Sequence, residues 1–443
     1  MKSNKNGADA QKEFQILPEK LLLKGGHVVD PSRAIDEVSD IFIENGVIKA
    51  VEKIDVSGFD GVVETLDGRI VSPGWMDMHV HLREPGREDE ETVKSGALAA
   101  ANGGFTSVCC MPNTTPAIDS QEIIQYIIDR ARGGLVNVHP IAAITKNRQG
   151  KELAEILDLV EQGAVAISDD GDPVMNAGIM RRALEYSKIV DIPVIGHEED
   201  IAMTEDGHIN EGYISTRLGV GGIPSVAEDI MIARDIMLAE YCGGRFHVAH
   251  IATKNSVELV RQAKKRGIAV TAEVTPHHFS LTDEAVLGFD TNAKMKPPLR
   301  TAEDVEAMLE GLKDGAIDVI STDHAPHSWE EKASEFIYAP FGIVGLETAL
   351  GLCVTKLFDT KVLSLTSLIE KLAVNPYKIL RMNPPMIKSS EPANLTIFDI
   401  TAKWQFDLSR SLSKSSNTPF SGAELRGKPF KVINNNQFFN SIL

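Results

Sequence analysis

The sequence predicts an α/β protein: a (β/α)₈ barrel over residues 71–389, with a small β-sandwich-like domain made from the two terminal segments, 20–70 and 390–443. Three observations predict it. Eight short apolar runs ending in polar or histidine-bearing tips follow one another through the middle of the chain. Segments of helical period separate them, the alternation that gives a parallel sheet covered by helices. At both ends the texture changes to β-branched stretches broken by Gly, Asn and Asp, as in antiparallel strands joined by turns. A length of 443 residues, at roughly 150 per domain, suits about three domains or one such barrel with an appendage.

The polar stretch 1–19 offers too little apolar surface to offset its ordering entropy and reads as a loose tail. It lacks the apolar segment of a signal peptide, and no run of about 18 apolar residues occurs, so a cytoplasmic protein without a membrane span is expected. LLLKGGHVVD, DIFIENGVIKAV and the run from Gly61 to Leu66 supply the first strands of the small domain. The barrel runs are VSPGWMDMHVH, GFTSVCCMPN, VNVHPIAAIT, AVAISDDG, IPVIGHEED, RFHVAHIA, AVTAEVTPHH and AIDVISTDHAPH. Between them, KELAEILDLVEQG carries Leu153, Ile156, Leu157 and Val160 on one expected helical face, and KNSVELVRQAKKRG closes on Gly267. Gly103 and Gly104 read as a helix C-cap rather than a phosphate cradle. ANLTIFDI and KPFKVI bring back the β texture, while NNNQFFNSIL lacks the Gly-Lys turn expected before a final strand.

Charge narrows the function. With 45 basic residues against 63 acidic ones, the net charge of −18 repels phosphate backbones and anionic lipid, which argues against nucleic-acid and membrane partners. Cys109, Cys110, Cys242 and Cys353 form no C-x-x-C pair and are too few for a disulfide scaffold, so they read as buried thiols.

Catalytic groups of such barrels sit at the C-terminal ends of the strands, so chemistry is expected at the eight tips. His79 and His81 stand two apart, and on a strand both imidazoles point to the same side. The later tips add Asp169 and Asp170, His197, His247 and His250, and Asp323, His324 and His327. Singly, such carboxylates cap turns and such histidines bond locally. Together at one mouth, four imidazoles and two carboxylates suit borderline-soft divalent ions such as Zn²⁺ and exceed one tetrahedral shell. Two ions sharing a bridging ligand is the simpler count, and spacing does not decide between Asp169 and Asp170. His277 and His278 in TPHH read as supporting or structural. SWEEKASEFIYAP, 328–340, reads as a lid or, more usually, a solvated helix.

With these pieces the chain resembles the amidohydrolase superfamily, and within it the bacterial class I dihydroorotases, from about Val71 to Thr348. DMHVHLREPG, MPNT at Met111 to Thr114, SDDG, AEVTPHH, KPPLR, TDHAPH and APFGIVGLET carry the resemblance. It implies His79 and His81 on a first metal, His197 and His250 on a second, Asp170 bridging, and Asp323 on the first metal as general acid/base. Many relatives bridge with a carboxylated lysine; AVAISDDG contains none, so a carboxylate bridge is expected. The resemblance also gives Arg83, Asn113 and His327 to the substrate carboxylate, and backbone groups around Phe341 and Gly342 to the ring. From the residues alone, a salt bridge of Arg83 with Glu84 or Glu88 and a turn cap by Asn113 are the rivals. One position departs: KMKPPLR places Lys296 where these proteins usually carry asparagine, and an ammonium cannot both donate and accept as an amide does. Either Asn292 supplies the contact, or substrate preference has drifted, or Lys296 attracts a dianionic open-chain product.

The activity implied is reversible hydrolysis of the cyclic amide of (S)-dihydroorotate to N-carbamoyl-L-aspartate in pyrimidine synthesis, two divalent ions, with Zn²⁺ expected, activating a bridging hydroxide. A dihydropyrimidinase, hydantoinase or allantoinase is the rival enzyme, and those usually keep the bridging lysine. A non-catalytic scaffold for aspartate transcarbamoylase is the rival from another class, and such chains typically lose metal ligands. The acidic surface is compatible with a homo-oligomer and with a complex with that enzyme.

Overall fold

The computed structural model describes residues 13–443; residues 1–12 of the expected tail lie outside the described residues. The tail ends earlier than Glu19. Gln15–Ile16 forms strand β1, antiparallel to the last strand of the chain, and buried Leu17 donates its N–H to Asn436 O at 3.0 Å. FQIL is apolar enough to fill an open sheet edge, a local signal that the polar average of the stretch conceals.

Alternating apolar residues then build β2 (Lys20–Asp30), β3 (Ile35–Glu44), β4 (Val47–Val51), β5 (Val62–Thr65) and β6 (Ile70–Pro73). The β3–β4 hairpin turns on Asn45 and Gly46, with φ of 51° and 73°, the left-handed pair that a tight hairpin requires. β5 and β6 run parallel to β2, so the sheet is mixed.

The barrel follows directly: β7 (Trp75–Val80), β8 (Phe105–Cys110), β9 (Asn137–Ala142), β10 (Ala166–Ser168) and β11 (Val194–Gly196). After β11 the chain makes an excursion whose short strands β12 (Ile209–Asn210) and β13 (Gly222–Ile223) pair only with each other. β14 (Phe246–Val248), β15 (Val270–Val274) and β16 (Val319–Ile320) complete the eight. All eight are parallel and neighbours in chain order. The ring closes where the His81 N–H donates to His324 O at 2.9 Å.

Helices cover the outside, and their ends are written in the sequence. Thr92 caps Val93–Gly103, which stops on Gly104 in the left-handed region, so the glycine pair is the C-cap expected. Thr253 caps Lys254–Lys265, and Gly267 follows at φ 80°. The expected face in KELAEILDLVEQG is corrected: the helix is only Ile156–Glu161, it buries Ile156 and Leu159, and Leu157 is exposed. Leu153 precedes the helix in a bridge with Thr145, which breaks the period on which that face was drawn. Inside the barrel, Met76, Met78, Cys109, Ile141, Ile195 and Val319 pack together ahead of the polar tips and form a floor beneath the mouth.

β17 (Leu395–Gln405), β18 (Glu424–Asn434) and β19 (Gln437–Asn440) return to the first sheet, in the order β1-β19-β18-β17-β6-β2-β3-β4 with β5 beside β2. The join sets Leu395 opposite Pro73. The two termini therefore share one nine-stranded sheet and a core that includes Leu21, Ile41, Val71, Leu395 and Ile433. Its final hairpin needs no glycine: Asn435 and Asn436 adopt φ of 50° and 57°, a conformation asparagine tolerates. Cys109, Cys110 and Cys353 are buried, Cys242 is half-buried, and all four are free. Among the described residues no helix is long and apolar enough to cross a membrane.

Candidate metal centre and active site

The strand tips bring six of the sequence candidates to one point. His79 and His81 come from the end of β7, Asp170 follows β10, His197 follows β11, His250 follows β14 and Asp323 follows β16. Asp170 lies at the middle. Its Oδ1 is 3.3 Å from His79 Nε2, 3.6 Å from His197 Nδ1 and 3.5 Å from His250 Nε2, while Oδ2 is 3.6 Å from His81 Nε2. Asp323 Oδ1 lies 2.9 Å from His81 Nε2 and 3.6 Å from His79 Nε2. All six side chains are buried. Burial alone would raise the Asp170 carboxyl, but His79 and the other imidazoles hold it well below the usual carboxylate range. The same balance brings Asp323 down to about 2. Both carboxyls are therefore anions at neutral pH.

The donors suit divalent cations. Three imidazoles have their outer nitrogen committed: His79 Nδ1 donates to Glu273 Oε1 at 2.6 Å, His81 Nδ1 to Asn113 Oδ1 at 2.7 Å, and His197 Nε2 to Glu199 Oε2 at 3.4 Å. With the proton kept on that outer nitrogen, each inner nitrogen would offer a lone pair to an ion at the centre, the arrangement of a metal-binding histidine; His81 Nε2 lies 2.9 Å from Asp323 Oδ1 and His197 Nδ1 2.9 Å from His250 Nε2. His79 Nε2 and Asp170 Oδ1 are buried, face each other and have no hydrogen-bond partner. Two such acceptors are costly unless a cation lies between them. Three groups could each hold an ion: His79, His81 and Asp170; His79, His250 and Asp323; and Asp170, His197 and His250.

The other histidines and Asp169 stand apart. Asp169 accepts from Thr145 N and Oγ1 and fastens the turn after β9; burial pushes its carboxyl up to about 6. His247 pairs with Thr271 Oγ1 at 2.8 Å and Glu273 Oε2 at 3.2 Å. His324 faces Glu91 and accepts from Gly345 N. His278 is held between Thr275 Oγ1 and Pro297 O, and buried His277 lies beside it.

A cavity of about 400 Å³ opens over the cluster, lined among others by Arg83, Asn113, Lys296, His327 and Phe341. Arg83 pairs with neither Glu84 nor Glu88. Its Nε lies 3.3 Å from Glu90 Oε2 and donates to Pro326 O at 3.0 Å, while Nη2 lies 3.3 Å from His327 Nε2. Glu84 is occupied by Val93 N, Tyr126 and Arg130. His327 lies 2.9 Å from Glu90 Oε1 and 2.8 Å from Phe341 O. Lys296 Nζ pairs with Glu199 Oε2 at 2.9 Å and stands 5.5 Å from the Phe341 ring centre. Asn292 does not line the cavity. Nor does Gly342: its N–H donates to Lys294 O and its carbonyl accepts from Asn417 Nδ2. Its role is space, because a Cβ there would lie 2.7 Å from His327 Cδ2 and from Ala325 O.

Segment 328–340 is neither a long solvated helix nor a free flap. Only Trp329–Lys332 is helical. Lys332 Nζ donates to Thr291 O and Pro340 O, and buried Lys294 donates to Phe336 O, Ile337 O and Ala339 O. Two inward-turned lysines thus pin the loop that delivers Phe341. Glu273 is the important residue that the motifs left without a role; the available signal is a carboxylate inside a strand buried on both faces.

Comparison with known proteins decides the family. A family model described as "Dihydro-orotase-like" matches residues 68–256. A protein named dihydroorotase from Acetivibrio thermocellus is 49% identical over 416 residues, covering 94% of this chain and 97% of that one. Another from Pelotomaculum thermopropionicum is 52% identical over 417 residues, covering 94% and 97%. The chain belongs to the dihydroorotase family. Among solved structures, an L-hydantoinase (dihydropyrimidinase) from Arthrobacter aurescens superposes with a TM-score of 0.83 at 23% identity, covering 94% of each chain. A dihydropyrimidinase from Brevibacillus agri gives 0.82 at 20% identity, covering 95% of each. These two share the fold of this chain over nearly its whole length.

Proposed function

We propose that this protein hydrolyses the cyclic amide of (S)-dihydroorotate to N-carbamoyl-L-aspartate, and closes the ring in reverse, as a step of pyrimidine synthesis in the cytoplasm. One observation carries the reading: Asp170 stands among four imidazoles, with Asp323 beside two of them, in a cavity whose wall presents Arg83 and Asn113. The family's dihydroorotases, about half identical over nearly the whole length, support the same substrate.

In this reading His79, His81 and Asp323 would hold one divalent ion and His197 and His250 a second, with Asp170 available to both. The nitrogen and oxygen donors favour Zn²⁺. Such ions, when bound, polarise a carbonyl and bring the pKa of water towards neutrality. The residues supply the rest. Asp323, ionised and next to His81, accepts a proton from the attacking water. It returns that proton to the ring nitrogen as the C–N bond breaks, leaving a terminal ureido NH2 and a carboxylic acid that ionises by releasing the water's remaining proton to solvent. By microscopic reversibility the same carboxyl serves ring closure. Arg83 and Asn113 receive the ring carboxylate, with His327 behind them, and Phe341 borders the ring. Lys296 donates to a carbonyl or carboxylate oxygen of the ligand from the opposite wall. A homo-oligomer and a complex with aspartate transcarbamoylase are further readings that the acidic chain accommodates.

The test is loss of the dihydroorotate ultraviolet signal with purified protein, beside hydantoin and dihydrouracil, with metal content determined on the same sample. Turnover of dihydroorotate with near two metals per chain is the expected result. Turnover of only the neutral rings would replace this reading with that of a dihydropyrimidinase or hydantoinase.

A further inference from the structure

Three cationic side chains line the cavity: Arg83, Lys296 and Arg148, the last on the loop that follows β9. Each is paired to a carboxylate, but not equally. The partner of Arg83, Glu90, is 2% exposed, and that of Lys296, Glu199, is 6% exposed. Arg148 pairs through Nη2 with Asp172, which is 55% exposed. A pair to a solvated carboxylate contributes least, so Arg148 turns from its partner to a ligand at the smallest cost. Its Nε is also buried without a hydrogen-bond partner, a donor that is expensive to leave unmet.

The loop that carries Arg148 is braced. Thr145 is held by Asp169, Asn147 N donates to Asp119 Oδ2 at 2.6 Å, and Arg148 N donates to Thr145 O at 2.9 Å. Asn147 and Arg148 both sit at positive φ, 51° and 55°, a strained pair that these bonds maintain. Strand order places it further. Around the mouth, His327 follows β16, Arg83 follows β7, Asn113 follows β8, Arg148 follows β9 and Asp170 follows β10. A Cβ on Gly171 would lie 3.7 Å from Asn113 Nδ2, so Asn113 and the loop after β10 form one continuous wall.

We propose that Arg148 is a specificity-determining residue, a second guanidinium that receives the ligand's carboxylate across Asn113 from Arg83. This rests on the reading that the ligand is an acidic cyclic amide or its open-chain form. Two forks on one carboxylate would let a strongly acidic protein select an anion whose charge Arg83, offset by Glu90, meets only in part.

The test uses metal-loaded full-length protein and competition titrations with N-carbamoyl-L-aspartate and N-carbamoyl-β-alanine, which differ by one carboxylate. The preference for the aspartate derivative is expected to fall about tenfold or more in Arg148→Met, and to return in part in Arg148→Lys, which keeps a point charge without the fork. A preference that survives Arg148→Met overturns the proposal, whether both ligands weaken together, as a structural role would make them, or neither does. A parent protein with no such preference instead removes the acidic-ligand reading itself.

Discussion

Glu273 holds His79 from behind: its Oε1 accepts from His79 Nδ1 at 2.6 Å, deep in the barrel, while Oε2 accepts from Ser321 Oγ at 2.8 Å. That bond sets the tautomer that turns the Nε2 lone pair towards Asp170 and makes the imidazole a better donor. Glu273→Gln keeps the shape but removes the charge. Divalent-metal affinity, read by chelator competition, is expected to fall roughly 10- to 100-fold. Unchanged affinity would show that packing alone orients His79.

Asp323 and Asp170 are both anionic and both touch imidazoles, yet their replacements are expected to fail differently. Asp323 sits to one side, closest to His81 and His79, with His250 within 4.8 Å. Asp323→Asn keeps an oxygen donor and is expected to retain most metal while turnover falls by about 10²- to 10⁴-fold, the range for a lost proton carrier. Asp170 reaches all four imidazoles, so Asp170→Ala is expected to lower metal content itself. Metal analysis and initial rates on the same samples separate the two. Full metal and normal rate in Asp170→Ala would remove it from the bridge.

Lys296 has a structural duty that asparagine at the same place would meet differently. Its ammonium is the cation beside Glu199, which is 6% exposed and also faces His197 Nε2. Lys296→Met leaves Glu199 Oε2 with His197 alone and is expected to lower unfolding free energy by about 1.5–3 kcal/mol, the worth of a hydrogen bond to a charged group. Lys296→Asn can still donate to Glu199 and can pair with a ring amide, so it is expected to keep dihydroorotate turnover within about tenfold of the parent. Denaturant titrations and rates on both variants decide. Equal behaviour of the two would mean that neither the charge nor the donor matters.

How far these residues could be read from sequence follows from the range of the signals. The strand tips were legible because period-two and helical patterns placed them at one end of one barrel, whereas the choice of the six among their residues, His250 over His247 and Asp170 over Asp169 included, came from the family resemblance. Glu90 as the partner of Arg83 was not legible, since Glu84 and Glu88 lie nearer in sequence and only the turn after Arg83, at φ 60°, brings Glu90 round. Glu273 is a single letter in a strand whose meaning depends on His79, 194 residues away. Arg148 lies in a polar loop whose left-handed pair has no glycine to announce it. The closing hairpin was obscured for the same reason, because Asn435 and Asn436 perform the turn for which a glycine was sought.

A last consequence concerns pH and the segment that follows His250. Glu228, 4% exposed, accepts the N–H groups of Ala252 at 2.9 Å and Thr253 at 3.2 Å, with Arg300 Nη2 at 3.7 Å from its other oxygen. Burial pushes its carboxyl from 4.5 up to about 7, against the pull of Arg300. The folded state therefore binds this proton more tightly than the unfolded chain does. Below pH 4.5 the group is protonated in both states and costs nothing; as pH rises towards 7 stability is lost; above 7 both states are ionised and a full cost on the order of 3 kcal/mol remains. Glu228→Gln keeps an acceptor for Ala252 and Thr253 and does not titrate. On metal-free protein, urea titrations across pH 5 to 8 are expected to show the parent losing stability relative to this variant up to about pH 7 and holding a constant difference beyond. A difference that is flat across the whole range would mean that Arg300 and the two N–H groups fully offset burial, leaving the carboxylate ionised throughout as a permanent clamp behind His250.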